Sequence, residues 1–128
     1  MNKYDIKKMN GILTKDLLQS AIVLESEEMA WDYNNSKIAI DVLRKNKCVI
    51  LGGDVYQLID RNYEFLGDNW YIDTKEIVLN SDTYEKRLEE LSNYSADISL
   101  EYINKYESMN NGKYYYCIVI ADSSSIIL

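Results

Sequence analysis

The longest regular pattern of hydrophobic and polar positions lies in the second half of the chain. Between residues 83 and 107, apolar, aromatic and small side chains recur at intervals of three or four positions. They are Tyr84, Leu88, Leu91, Ser95, Ile98, Tyr102 and Tyr106. This period places them on one stripe of an α-helix. Because Asp82-Thr83-Tyr84-Glu85 has the spacing of a capping box, a long amphipathic helix is predicted to begin there and to pack on a sheet.

Two shorter helices are predicted in the first half of the chain. Thr14 can cap a helix over residues 15–20, and Ser36 can cap one over residues 37–45. The second of these segments ends in basic residues, which suit the negative end of the helix dipole. Both segments are therefore expected to form short helices joined to the rest of the chain by loops.

A hairpin is predicted around a pair of glycines in the middle of the chain. Residues 48–51 and 55–59 are short apolar runs rich in β-branched residues, and they flank the sequence Gly52-Gly53-Asp54. Glycine enters the positive-φ conformations of a tight turn without steric cost. Gly52 and Gly53 are therefore interpreted as the structural turn of this hairpin.

Two more strands complete the predicted sheet. Residues 70–72 follow a turn signal, and residues 114–121 form an unbroken apolar and aromatic run typical of a central strand. The 128 residues suffice for one hydrophobic core, and no proline-rich linker divides them. The prediction is a single α+β domain over residues 1–128. Helices, including the long one in the C-terminal half, cover an antiparallel or mixed sheet of about four strands.

Composition and charge narrow the catalytic mechanisms, metal sites and binding partners that the chain could have. The chain has no histidine, so it lacks the usual general base near neutral pH and the commonest metal ligand. Its two cysteines lie in apolar runs, which indicates buried reduced thiols in a cytoplasmic protein. The net charge is −7, and residues 48–112 alone hold five basic and thirteen acidic residues. This balance disfavours nucleic acid as a partner and favours a basic protein.

Besides a protein that binds a basic partner, the sequence is compatible with two further function classes. Asp54, Asp60, Asp68 and Asp73 lie at predicted turns and strand ends, where two of them could converge as the carboxylate pair of a small hydrolase. Aspartate is also favoured in turns for its own backbone hydrogen bonds, without catalysis. The second alternative is an adaptor that dimerises through an exposed edge strand. No cofactor motif, metal-ligand spacing or membrane-spanning apolar run is found.

Aromatic and acidic residues cluster at the predicted turns and strand edges of the acidic segment. The chain has 12 tyrosines and 2 tryptophans, which are residue types enriched at recognition surfaces. We expect a partner-binding surface with Trp70 and Tyr56 as aromatic anchors and with Asp54 and Asp68 as charged contacts. The structural alternative is that these residues only hold the hairpin. The candidate set is Asp54, Tyr56, Asp68, Asn69, Trp70 and Tyr71.

Three short motifs occur in a fixed order between residues 36 and 106. They are Ile50-Leu51-Gly52-Gly53-Asp54-Val55-Tyr56, Asp68-Asn69-Trp70-Tyr71 and Tyr102-Ile103-Asn104-Lys105-Tyr106. Their order and spacing resemble those of the immunity protein 40 family of bacterial polymorphic toxin systems. This resemblance implies a small protein without enzymatic activity that binds a cognate toxin and blocks it.

The charge of the chain adds a prediction about this toxin. Because opposite charges raise the rate of encounter, the acidic segment predicts a basic toxin domain. Neither a nucleic acid nor a membrane is expected as a partner, and the protein is expected to be a monomer or a weak homodimer in the cytoplasm. No cofactor, metal or catalytic residue is expected.

Overall fold

The computed structural model describes residues 11–122, 126 and 128 and contains both helices and strands. The helices are α1 (Lys15–Ser20), α2 (Tyr33–Lys45) and α3 (Tyr84–Met109). The strands are β1 (Ile22–Val23), β2 (Met29–Trp31), β3 (Ile50–Ile59), β4 (Asn62–Tyr71) and β5 (Tyr114–Ile120). A short 3₁₀ turn, Thr74–Glu76, lies between β4 and α3. The predicted α+β class is confirmed.

The strands form one antiparallel sheet in the order β1-β2-β5-β3-β4. As its unbroken apolar sequence predicts, β5 is the middle strand and pairs with β2 and β3. The strands β1 and β2 were not predicted, because their two and three residues are too few to reveal a period of two. The sheet therefore has five strands rather than about four.

The three described helices lie on one side of the sheet. α3 packs on β3, and α2 contacts both α3 and β5. α1 contacts α2, and its Leu17 carbonyl oxygen accepts a 2.8 Å hydrogen bond from the indole N–H of the buried Trp31. The core between the two layers contains fully buried side chains from both, among them Ile40, Leu43 and Tyr116. In the part of the chain that the structure describes, the opposite side of the sheet carries no helix.

α3 approaches the sheet through a row of fully buried serines, Ser92, Ser95 and Ser99. The Ser92 hydroxyl donates to the Cys48 carbonyl oxygen at 2.7 Å, and the Ile50 amide donates to the Ser95 hydroxyl oxygen at 3.0 Å. These bonds satisfy backbone groups around the start of β3 that would otherwise be buried without a partner. The small side chains also let the helix lie close to the strand.

α3 confirms the predicted long helix, with two corrections. Its N-cap is Thr83 rather than Asp82, because the Lys86 amide donates to the Thr83 hydroxyl oxygen at 3.3 Å. The buried stripe is also rotated, since Tyr84 and Ile98 are exposed. The buried positions are Leu91, Ser92, Ser95, Ala96, Ser99 and Ile103. Ser95 was predicted in this stripe, but Ser92 and Ser99 were not, because serine is more often found on the surface.

The two shorter helices are also present. α1 has the predicted bounds, and the Leu17 amide donates to the hydroxyl oxygen of its Thr14 cap at 3.3 Å. α2 begins four residues before the predicted start, because Asp32 rather than Ser36 is its N-cap. Ser36 is buried inside the helix, where its hydroxyl donates to the Tyr33 carbonyl oxygen at 2.8 Å.

The predicted turn at Gly52 and Gly53 is wrong, because both glycines lie inside β3. The β3–β4 hairpin turns instead at Asp60 and Arg61, whose φ angles of 49° and 71° are both positive, as in a type I′ turn. β4 is accordingly a strand of ten residues rather than a short one at residues 70–72. The absence of side chains at the two glycines lets β3 lie close to its neighbouring strands.

Candidate functional site

The side of the sheet away from the helices is formed by alternate residues of β3, β4 and β5, because successive side chains of a strand point to opposite sides. Tyr56 is paired with Phe65 on β4 and Tyr115 on β5, and Asp54 is paired with Asn69 on β4. We term this surface the open face. It comprises Asp54, Tyr56, Tyr63, Phe65, Asn69, Tyr71 and Tyr115.

Aromatic side chains cover much of the open face, and all of them except the buried Tyr115 remain partly exposed. The ring centroids of Tyr56 and Phe65 lie 5.5 Å apart, and those of Tyr63 and Tyr115 lie 5.1 Å apart in an edge-to-face arrangement. Phe65 is 54% exposed and Tyr71 is 74% exposed. A group of exposed aromatic side chains on one face is typical of a recognition surface.

Two carboxylates lie near these rings without a basic partner. Asp54 on β3 is half-buried, and Glu28 in the β1–β2 loop is close enough to act on it electrostatically. Burial, and then the charge of Glu28, raises the pKa of the Asp54 carboxyl. Burial chiefly, together with nearby negative charge, raises the pKa of Tyr56 to about 12. No ion pair joins Glu28 or Asp54 to another of the described residues, so neither carboxylate is neutralised by a neighbour.

Asp54→Asn is expected to stabilise the protein modestly at neutral pH. The pKa of the carboxyl is higher in the folded state than in the unfolded state, so ionisation favours unfolding. The protonated group therefore favours folding below its unfolded pKa, and this contribution is lost as the pH rises through the folded pKa. Because Asp54 is only half-buried, we expect the substitution to add about 0.5 kcal/mol at neutral pH.

Urea unfolding of both proteins at neutral pH, and again below the ordinary aspartate pKa of 3.8, measures this difference. The advantage of the variant should disappear at the lower pH, where the carboxyl is protonated in both states. Asp97→Asn on the exposed side of α3 is the matched control. An advantage of equal size at both pH values would contradict the assignment.

A cleft of about 550 Å³ opens beside the aromatic rings. Residues 23–26 of β1 and the β1–β2 loop line one side, and residues 61–65 of the hairpin line the other. Tyr56 lines the cleft from β3. The cleft therefore joins the open face to the loop that carries Glu28.

Trp70 lies on the helix-covered side of β4 and is only 7% exposed. Its indole N–H donates to the Ser99 hydroxyl oxygen at 3.0 Å, and its ring stacks on that of Tyr102 with centroids 4.9 Å apart. The expectation that Trp70 is an exposed aromatic anchor is therefore wrong. Its contacts favour the structural alternative for this residue.

Asp68 lies on the helix side of the edge strand and is exposed. Its carboxylate accepts a 2.7 Å hydrogen bond from the Tyr106 hydroxyl, which links β4 to α3. Burial and this hydrogen bond raise the pKa of Tyr106. Asp73 caps the 3₁₀ turn, where its carboxylate accepts from the Lys75 amide at 3.1 Å. These two aspartates are thus directed away from Asp54 and do not form the convergent pair that a carboxylate hydrolase requires.

Four of the six predicted contact residues come together on the open face, namely Asp54, Tyr56, Asn69 and Tyr71, whereas Asp68 and Trp70 lie on the helix side. Tyr63, Phe65 and Glu28 were not among the contact residues predicted from the sequence. The alternation of Tyr63 and Phe65 with polar neighbours was the available signal for the first two. It was overlooked because the strand was placed only after the later turn signal at Gly67.

The described residues contain no group of three or more side chains that could hold a metal ion. Nor, over the same residues, is any helix both long and apolar enough to cross a bilayer.

The fold and its exposed surface define a class of small two-layer α+β domain, in which helices cover one side of an antiparallel sheet and leave an aromatic surface on the other. A model of the family described as Immunity protein 40 matches residues 18–120 of the 128-residue chain. The chain belongs to this family, as the resemblance of its motifs predicted. No curated protein and no solved structure matches it.

Proposed function

We propose that this protein neutralises a cognate toxin by binding it through the open face. Membership of the immunity protein 40 family supports the immunity role. The observation that carries the choice of surface is that the described helices leave the open face uncovered while Phe65 and Tyr71 are exposed on it. The proposed contacts are Asp54, Tyr56, Tyr63, Phe65, Asn69 and Tyr71.

The net charge of −7 supports a basic toxin as the partner. Attraction between opposite charges raises the association rate over distances of about 10 Å. The acidic residues are not confined to the open face, since six of them lie on α3. We therefore propose that the overall negative charge attracts the toxin and that the aromatic residues of the open face form the contacts to which it docks.

We propose that the protein acts in the cytoplasm as a stoichiometric inhibitor. Inhibition by binding requires no catalytic group and no cofactor. We also propose that the protein acts as a monomer. The edge strand β4 is interrupted by an irregular register opposite Asp54 and Tyr56, and it carries the acidic residues Glu64 and Asp68. Both features oppose edge-to-edge pairing of two copies.

The immunity role is tested with the toxin encoded beside this gene. The proposal predicts that the adjacent upstream reading frame encodes a large secreted protein with a variable C-terminal domain, and this domain is the probe. Its expression should stop bacterial growth, and co-expression of the present chain should restore growth. The two purified proteins should form a complex of equal stoichiometry. Failure to bind this domain or to restore growth contradicts the proposal.

Phe65→Ala and Tyr71→Ala are each expected to weaken binding of this toxin domain by about 30-fold, as removal of a central aromatic contact does. Both side chains are exposed, so the free energy of unfolding should change by less than about 1 kcal/mol. Isothermal calorimetry measures affinity, and urea unfolding measures stability.

The matched controls are Tyr84→Ala and Tyr94→Ala, which remove tyrosines that are 51% and 42% exposed on α3. These variants should bind the toxin domain with wild-type affinity. If the α3 variants lose affinity and the open-face variants keep it, the toxin docks on the helices instead.

A further inference from the structure

The cleft beside the open face has a definite chemical character. Exposed apolar side chains, Val23 on one side and Tyr63 and Phe65 on the other, line its walls. Glu25 and Glu64 also line it, opposite a single basic residue, Arg61. Its volume of about 550 Å³ is in the range of cavities that bind a discrete group rather than a flat surface.

Further negative charge lies directly beside the cleft. The ring of Tyr56 lines the cleft, and both Glu28 and Asp54 act electrostatically on Tyr56. In the described part of the chain, no ion pair neutralises any carboxylate in or beside the cleft. Binding of a cation would relieve the repulsion between Glu28 and Asp54, and aromatic faces attract cations as well.

We propose that this cleft binds an arginine side chain carried on a protruding segment of the toxin. The guanidinium group stacks on the aromatic rings of Tyr56 and Phe65. Its positive charge is attracted by the carboxylates of Glu28 and Asp54. Its planar, weakly hydrated cation suits such a site better than the compact ammonium of lysine. This inference rests on the proposed function, because it names the group by which the toxin engages the open face.

A second copy of this chain fits the cleft less well than a basic toxin does. Each chain carries a net charge of −7, so two copies repel each other at long range. The cleft carries mainly negative charge itself, and its symmetric use by two copies would bring like charges together.

The inference is tested first without the toxin, with the fragment acetyl-arginine-amide as the probe. Two-dimensional NMR of the full chain should show saturable shifts at the amides of residues 23–28, 54–56 and 61–65. The uncharged isostere acetyl-citrulline-amide should give shifts at least about threefold smaller at the same concentration. Equal shifts from the two fragments, or arginine-specific shifts located elsewhere, would overturn the proposal.

Charge-removing variants provide the second arm. Glu28→Gln combined with Asp54→Asn should abolish the difference between the two fragments while leaving the rest of the spectrum unchanged. Asp97→Asn combined with Glu101→Gln, on exposed positions of α3, should preserve it. If concentrating the chain alone shifts the cleft amides, a second copy occupies the cleft and the proposal is overturned.

The toxin domain separates this inference from the proposed function. If the Glu28→Gln, Asp54→Asn variant still binds the toxin domain with wild-type affinity, the arginine site is wrong and the immunity role stands. If the wild-type chain does not bind the toxin domain, the proposed function fails whatever the fragment shows. A loss of affinity of at least about tenfold in the double variant, with α3 controls unaffected, supports both.

Discussion

Replacing Gly53 with alanine is expected to lower the free energy of unfolding by about 3 kcal/mol, a large part of the stability of a small domain. A Cβ atom at this position would lie 2.2 Å from Cη2 of Trp70 and 2.5 Å from the Cys117 carbonyl oxygen. Neither neighbour can move away freely. Cys117 belongs to the central strand, and the Trp70 ring is held by Ser99 and Tyr102 on α3.

Two other glycines provide graded controls for this substitution. Gly67 has a φ angle of +83° but open space around the position of its Cβ, so Gly67→Ala should cost only the backbone strain of about 1 kcal/mol. A Cβ on Gly11 meets nothing within 4 Å, so Gly11→Ala should be close to neutral. Urea unfolding of the three variants gives the order. A Gly53→Ala protein as stable as Gly67→Ala would contradict the packing argument.

The role of the glycine pair could be predicted from the sequence only in part. Glycine is selected either for a positive φ angle in a turn or for the close approach of a neighbour, and the sequence alone does not separate the two. The neighbour that decides here is Trp70, which is paired with Gly53 across β3 and β4. That pairing depends on the hairpin turn at Asp60 and Arg61. These residues were predicted to form a turn, but not the one that joins the two strands of this hairpin.

Long periodic segments were more informative than short ones. The predicted helix over residues 83–107 and the predicted central strand over residues 114–121 correspond to α3 and β5 within two residues at each end. Their hydrophobic patterns extend over many residues, so one unusual position does not hide them. Ser95 was predicted in the stripe, whereas Ser92 and Ser99 were not. Ser92 bonds to the Cys48 carbonyl oxygen and Ser99 accepts from the Trp70 indole, contacts that only the assembled fold creates.

The candidate site could be predicted only in part for a related reason. Trp70 and Tyr71 were predicted to lie on one surface, since they are neighbours and both aromatic. In a strand, however, adjacent side chains point to opposite sides of the sheet, and a strand begun at the wrong residue gives no basis for assigning either side. The structure assigns Trp70 to the core and leaves Tyr71 74% exposed on the open face.

Trp70→Ala is therefore expected to destabilise the protein by about 4 kcal/mol. It removes a large side chain that is 7% exposed, the stacking on Tyr102, and the donor to the buried Ser99 hydroxyl. Trp70→Phe, which retains most of the apolar area but not the donor, should cost about 2 kcal/mol and still fold. Thermal and urea unfolding measure both effects.

The same variants distinguish a residue that holds the fold from one that contacts the toxin. Folded Trp70→Phe protein should bind the toxin domain with wild-type affinity, because the indole is covered by α3. The adjacent Tyr71→Ala should show the reverse, with nearly wild-type stability and weakened binding. These opposite outcomes at consecutive positions follow from the alternation of side chains along β4. A stable Trp70→Phe protein that no longer binds would instead place the toxin on the side of β4 that faces α3.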